Sequence, residues 1–336
     1  MKRPASRRRF VFAAAGAAAL AGCAGWSYRA PEKGPVAAMF PGRIDDAGFT
    51  EAGYRGLQRI ERDLRIPVTH VDRVGTEPEA TLEALRALAK SDATLVIAHG
   101  AQAAAAAQRV AWEFPAQRFA SIQGDLTRPN LAVYAVRQEQ SAWLAGAAAG
   151  LLSPSGVVGH LAGVRDAPGL AARAAYADGL RAANPRARLL TTFSGSQDDE
   201  ALNRRAALAQ IDAGADILFT LLDAGRAGAI AACRERGVRQ LGSVRDWVAA
   251  MPDVFVGSAI ADAGYAVFAA GRDLADNLLK GDIVKRFGLA SPDAVRLVLA
   301  DSVAAPVRSR IAGLATDLAT GRIALPDVYN GPEFTV

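Results

Sequence analysis

Carboxylates and side-chain amides recur in this chain just beyond short apolar runs. After PVAAMF comes PGRIDDAGFT, with Asp45, Asp46, Phe49 and Thr50; after ATLVIA come His99 and Gln102; after FASI come Gln123 and Asp125. In the second half GSQDD brings Gln197, Asp198 and Asp199, Asp223 and Arg226 follow ADILFTLL, and Asp246 and Trp247 follow RQLGSV. Ionised carboxylates accept hydrogen bonds, amides both donate and accept, and Phe49 and Trp247 present flat apolar faces. That set suits reversible binding of a neutral or cationic polar ligand with a planar face.

Covalent chemistry has less support. The sequence holds no nucleophile elbow, no phosphate-cradling loop and no closely spaced His/Cys metal signature. PGRIDDAG lacks the spacing of a dinucleotide fingerprint, and His70, His99 and His160 are scattered. The reading is therefore a binding protein, not an enzyme, with no cofactor and no metal. Each polar residue also has a structural alternative. Asp45 or Asp46 can stabilise the next turn and helix start, and Asp198 or Asp199 can cap the helix ALNRRAALAQI. The three histidines can be structural, Arg226 can be solvated or pair with a cleft carboxylate, and Trp247 can be a packing residue at a lobe edge.

The runs that carry these loops are PVAAMF, IPVTHV, ATLVIAHG, RFASIQG, NLAVYAV, GVVGHLAG, RLLTTF, ADILFTLL, RQLGSV, DVFVGSAI and VRLVLA, each followed by a helical pattern. Short buried strands alternating with helices predict an α/β fold with parallel sheets and right-handed crossovers. A weak repeat doubles the pattern: Ala52 and Tyr54 recur as Ala174 and Tyr176, ATLVIAHG as ADILFTLL, and FASIQGD as LGSVRDW, all offset by 122 residues. Two similar open-sheet lobes predict a crevice beyond the carboxyl ends of their strands.

The first 22 residues read as an export signal: basic MKRPASRRRF, then uncharged VFAAAGAAALAG. Leu20-Ala21-Gly22-Cys23 resembles a lipobox, which makes Cys23 the expected lipidation site, and Ser6-Arg7-Arg8-Arg9-Phe10-Val11 resembles a twin-arginine motif. Residues 23–34 then form a lipidated tether to a domain region of about 300 residues. The chain has 39 Lys+Arg against 34 Asp+Glu, and the signal carries five of those cations, so the rest of the chain is formally neutral. Without a cationic cluster, nucleic acid is not an expected partner. Cys233 remains as a lone thiol with no intramolecular bridge and reads as a packing residue.

DDAGFTEAGYRGL, HGAQAAAAAQRVAWEFPAQRFASI, QSAWLAGAAAGLL, ARAAYADGLRAANP and NRRAALAQIDAGADILF together resemble the basic membrane protein family of bacterial lipoproteins. The resemblance runs from about Val36 to Gly321 and implies the type I periplasmic-binding fold: two doubly wound parallel-sheet lobes joined by a three-crossing hinge. It implies a substrate-binding component of an ABC importer that partners a permease and closes on a small ligand, commonly a purine nucleoside. Lobe 1 is then expected over 35–136 and 259–290 and lobe 2 over 137–258 and 291–336, with crossings near Tyr134 to Gln138, Gly257 to Ala259 and Leu289 to Asp293.

On this reading the ligand docks against Asp45, Asp46, Phe49, Thr50, His99, Gln123 and Asp125, and the other lobe adds Gln197, Asp223, Arg226, Asp246 and Trp247. The family's Asp-Asp-x-x-Phe-Asn ends in Thr50 here, a stacking aromatic is replaced by Gln197 with Phe193 nearby, an Asp-x-Asp becomes Val244-Arg245-Asp246, and a family lysine is Ala261. A different polar solute is the competing ligand, and a sensing lipoprotein without a transport role is the competing function. The expected setting is the exported face of a cell membrane, periplasmic or extracellular, with a monomeric chain held by its lipid.

Overall fold

The computed structural model describes residues 34–336, so the signal peptide, Cys23 and the tether as far as residue 33 lie outside the described residues. The first sheet and its helices begin with β1 (Val36–Met39), α1 (Phe49–Leu64), β2 (Val68–Val71), α2 (Pro78–Ala89) and β3 (Leu95–His99). They continue through α3 (Ala104–Glu113), β4 (Phe119–Ile122) and β5 (Leu131–Val136). The second set runs α4 (Gln138–Leu152), β6 (Val157–Ala162), α5 (Ala167–Ala183), β7 (Arg188–Phe193), α6 (Glu200–Asp212), β8 (Ile217–Leu221), α7 (Arg226–Arg236), β9 (Arg239–Val244), α8 (Trp247–Ala250) and β10 (Phe255–Ala261). Last come α9 (Ala263–Ala275), β11 (Val284–Phe287), β12 (Val295–Leu299) and α10 (Ala305–Ala319).

These elements build two six-stranded sheets, in the orders β11-β5-β4-β3-β1-β2 and β12-β10-β9-β8-β6-β7. The two orders are the same once β6 is matched to β1, and adding 122 to the bounds of β3 gives the bounds of β8. β1 and β3 are buried at every position, because helices cover both faces and the strands read as apolar runs. α1 turns Gly53, Leu57 and Ile60 inward, the spacing of one helical face. Aspartates start many of the helices. Asp166, Asp199, Asp246 and Asp262 accept from the backbone N–H of Gly169, Leu202, Ala249 and Gly264 and so cap α5, α6, α8 and α9.

The chain crosses between the sheets three times: from β5 to α4, from β10 to α9, and between β11 and β12. The middle crossing differs from the sequence expectation. Ala259, Ile260 and Ala261 pair with Leu297, Arg296 and Val295, so they extend the second sheet, and the chain turns back only at Asp262, the cap of α9. Three further differences concern the strands. β12 runs antiparallel to β10, whereas all the other strand pairs described are parallel. β11, Val-Lys-Arg-Phe, has no apolar run to announce it because it is an edge strand that is partly exposed. Finally, no helix links β4 to β5, and only the four-residue α8 links β9 to β10.

α4 is buried almost all round and crosses α5 at two glycines. A Cβ at Gly146 would lie 2.0 Å from the Tyr176 carbonyl oxygen, and one at Gly179 would lie 2.0 Å from that of Trp143. At the other end of the second lobe, the C-terminal residues fold back on the β7 edge. Phe334 donates its N–H to the Thr191 carbonyl (2.8 Å) and Thr192 donates its hydroxyl to the Phe334 carbonyl (2.8 Å). Glu333 pairs there with Arg165 and Arg173. Among the described residues no helix is long and apolar enough to cross a membrane.

The inter-lobe cleft as candidate ligand site

The carboxyl ends of β1, β3 and β4 face those of β6, β7, β8 and β9 across a cavity of about 510 Å³. On the first-lobe side, Asp46 is buried beneath the start of α1. Its Oδ1 accepts the N–H groups of Gly48 (2.8 Å) and Glu51 (3.0 Å), and Oδ2 accepts that of Thr50 (3.1 Å). Both oxygens therefore serve the helix terminus, and the residue borders the cavity as a cap. Phe49 and Thr50, the first residues of α1, line the cavity beside it.

The Phe49 ring leans on His99, with centroids 4.3 Å apart, and Phe40 backs the imidazole at 5.1 Å. His99 is fully buried and does not line the cavity. Burial lowers its pKa to about 3, so it supports Phe49 as a neutral ring. Gln123 sits in the left-handed region at φ 63°. Its amide clasps Val136, accepting the N–H (2.6 Å) and donating to the carbonyl (3.1 Å) at the first crossing.

From the second lobe, the Gln197 carbonyl accepts the N–H groups of Asp223 (3.2 Å) and Gly225 (3.0 Å), tying two cleft loops together. Asp223 remains partly open to the cavity while protein surrounds its other sides. Its Oδ1 accepts the Phe49 N–H from the opposite lobe at 2.8 Å. Burial, and then the charge of Asp46, push its pKa up to about 7. Burial likewise raises the pKa of Asp46 against the backbone N–H groups that lower it.

The structure separates the remaining expected residues from this cavity. Arg226 is 1% exposed and acts as an internal strut. Nη1 donates to the Thr220 carbonyl (3.0 Å) and hydroxyl (2.7 Å), and Nη2 donates to the Leu222 carbonyl and the Ser243 hydroxyl. Trp247 is buried against Phe255, gives its indole N–H to the Ser243 carbonyl (2.9 Å), and has the Arg226 guanidinium 4.8 Å from its ring centroid. Asp246 caps α8 and borders a smaller cavity of about 150 Å³ beside Arg245 and Asp262. Asp45 turns outward to Arg43, and Asp125 is exposed away from the cleft. Cys23 lies outside the described residues.

Beyond the expected docking set, Gln102, Gln138, Asp166, Ser196 and Asp198 also line the cavity; Gln102 and Asp198 are among the polar loop residues weighed from the sequence, and the other three are not. Gln102, Ser196 and Asp198 stand in loops already picked out by their polar composition. Asp166 had its own signal, an aspartate two residues before a proline at a helix start, in the second-lobe counterpart of the Asp45–Asp46 loop. Gln138 gave none, because it begins a helix directly after the first crossing. With Asp166 and Asp198, four carboxylates border the cavity, and among the described residues no Lys, Arg or His does. Asp166, Asp198 and Asp223 each spend Oδ1 on a backbone N–H, of Gly169, Ala224 and Phe49 respectively. Their second oxygens are positioned by the backbone and available to ligand donors. Such a surface attracts N–H and O–H donors or cations and repels phosphate.

A family model described as ABC transporter substrate-binding protein PnrA-like, Bmp, matches residues 33–317. The chain belongs to the Bmp family. Its relatives include Basic membrane protein A of Borreliella burgdorferi, 26% identical over 274 residues that make up 80% of each chain. A purine-binding protein of Brucella abortus is 23% identical over 68% of this chain and 65% of its own. Among solved structures, a solute-binding protein of an ABC transporter system from Aeropyrum pernix superposes with a TM-score of 0.78 at 19% identity, covering 87% of this chain and 94% of its own. One from Conexibacter woesei gives 0.71 at 25% identity, covering 88% and 99%. The type I periplasmic-binding fold expected from the sequence is the fold observed. Of the positions where the sequence is expected to depart from the family pattern, Thr50, Gln197 and Val244 line the main cavity and Ala261 does not.

Proposed function

We propose that this Bmp-family protein binds a purine nucleoside between its lobes and delivers it to an ABC permease, held at the exported face of the membrane by a lipid on Cys23. The observation that supports this most is the composition of the cleft: an aromatic platform at Phe49, amides at Gln102, Gln138 and Gln197, four carboxylates, and no cation among the described lining residues. Purine amino and imino groups and ribose hydroxyls donate to carboxylates, and the ring nitrogens accept from amides. The purine-binding relative is consistent with that chemistry. Binding and release, with no bond made or broken, is the whole activity on this reading.

The test is native mass spectrometry of the chain without residues 1–23, followed by calorimetric titration. Guanosine, adenosine, inosine and their free bases are compared with the 5′-monophosphates. Nucleosides are expected to bind at least about 100-fold more tightly than the monophosphates, because carboxylates are the only charged groups among the described lining residues and would repel a phosphate by about 3 kcal/mol. Equal affinity for the two, or no nucleoside binding by ligand-free protein, would overturn the assignment.

The anchor has its own test. Cys23→Ser is expected to abolish fatty-acid labelling and release the protein from the membrane fraction, since a serine hydroxyl cannot replace the acylated thiol. Labelling that persists in the variant would remove Cys23 from this role.

A second reading, a sensing lipoprotein, is favoured by one relative named Transcriptional activator protein med of Bacillus subtilis, 24% identical over 68% of this chain. Both readings use the same cleft and the same closure.

A further inference from the structure

The contact between Asp223 and the start of α1 links the lobes directly. Gly48, the residue before α1, has no side chain with which to cap the helix. Asp46 takes the N–H groups of Gly48, Thr50 and Glu51. The N–H it leaves out, that of Phe49, goes to Asp223 of the other lobe. The cap of a first-lobe helix is thus completed by a second-lobe carboxylate, at the end where the helix dipole favours negative charge.

Gly48 is the place where the second lobe passes. A Cβ there would lie 1.9 Å from Asp223 Oδ1, 2.6 Å from its Cγ and 2.9 Å from its Cα. The last of these is backbone, so no rotamer of Asp223 relieves the whole clash. The φ of Gly48, −134°, lies outside the left-handed region that favours glycine, and what a side chain at this position would meet is the opposing lobe at Asp223.

We propose that Asp223 and Gly48 form a cross-cleft latch, in which Asp223 completes the α1 cap only when the lobes are closed and the bare Cα at position 48 admits it. The latch rests on closure of the lobes around a ligand, the reading given under Proposed function. It is weak by construction. The bond it gains is offset by desolvation of the Asp223 carboxylate and by the neighbouring charge of Asp46, the causes that raise its pKa. A latch so balanced leaves open and closed forms both populated, and the ligand decides between them.

The test is a double-mutant cycle read by the distance between spin labels on the full-length chain. The labels sit at Lys90→Cys in the first lobe and Arg205→Cys in the second, both exposed positions, and distances are recorded without ligand and with guanosine. Ligand-free wild type is expected to show a long-distance and a short-distance population. Gly48→Ala and Asp223→Ala should each reduce the short-distance population about tenfold. The double variant should lose no more than Gly48→Ala alone, because the clash and the bond involve the same pair. Asp223→Asn keeps an oxygen that accepts the Phe49 N–H and should stay within about threefold of wild type.

A single open population in ligand-free wild type would overturn the latch. So would an unchanged short-distance population in Gly48→Ala, or losses that multiply to about 100-fold in the double variant. Failure of guanosine to shift the wild-type distribution defeats the nucleoside reading instead and leaves the ligand-free cycle to judge the latch.

Discussion

Arg226→Met is expected to lower the unfolding free energy of the protein by about 1 to 3 kcal/mol, the range for leaving buried hydrogen-bond acceptors without their donor. Arg226 is 1% exposed, and burial lowers its pKa to about 10, so it is still cationic at neutral pH. Its fork binds Thr220, Leu222 and Ser243 together under the Asp223 loop. Methionine fills similar space and keeps contact with the Trp247 face, yet it donates nothing. The Thr220 and Leu222 carbonyls would then lose a charged donor in a site that water reaches poorly. Arg226→Lys separates charge from geometry: a single ammonium cannot serve carbonyls and hydroxyls on β8, its following turn and β9 at once, so about half the loss should remain. Urea unfolding of the ligand-free protein measures both variants. A loss below about 1 kcal/mol for methionine would mean that the network relaxes around the change and that the strut is not structural.

The same residue shows where sequence reasoning stops. Position in a loop after a strand indicates which end of the sheet a side chain occupies, and that is why Asp46, Phe49, Thr50, Gln123, Gln197 and Asp223 were found at the cleft. It does not indicate whether the side chain faces the cavity or turns back. Arg226 and Trp247 turn back into the second-lobe core. Asp246 and Asp199 are taken by helix N–H groups three residues on, as the preference of aspartate for caps allows. Asp45 finds a solvent-exposed arginine two residues away.

The architecture was more legible than the site, because burial on both faces of a parallel sheet writes itself as uninterrupted apolar runs and the 122-residue repeat writes itself twice. Where burial is incomplete the signal fades. Val284–Phe287, an edge strand with two adjacent cations between its apolar ends, carries no such run, and the antiparallel sense of β12 comes from the third crossing rather than from anything in VRLVL.

Phe49→Ala is expected to weaken binding of whichever nucleoside the protein holds most tightly by about 10- to 100-fold, the equivalent of about 1 to 3 kcal/mol for losing an aromatic that stacks a base. The Phe49 ring is held before the ligand arrives: His99 stands behind it at 4.3 Å and Phe40 behind His99 at 5.1 Å. A platform fixed in this way loses little side-chain entropy on binding. The neutrality of His99, with its pKa near 3, means that the stack keeps its character across the physiological range of pH. Two further variants separate flatness from mere apolar contact. Phe49→Tyr keeps the face and should bind within about threefold of wild type, whereas Phe49→Leu keeps apolar area without the face and should lose nearly as much as alanine. Titration calorimetry on the three variants, with thermal melts to confirm that each is folded, decides the matter. If leucine binds like phenylalanine while alanine does not, Phe49 supplies apolar contact and the ligand need not be planar. If alanine itself binds like wild type, the ligand sits elsewhere in the cavity, against the second-lobe wall of Asp166, Ser196 and Asp198.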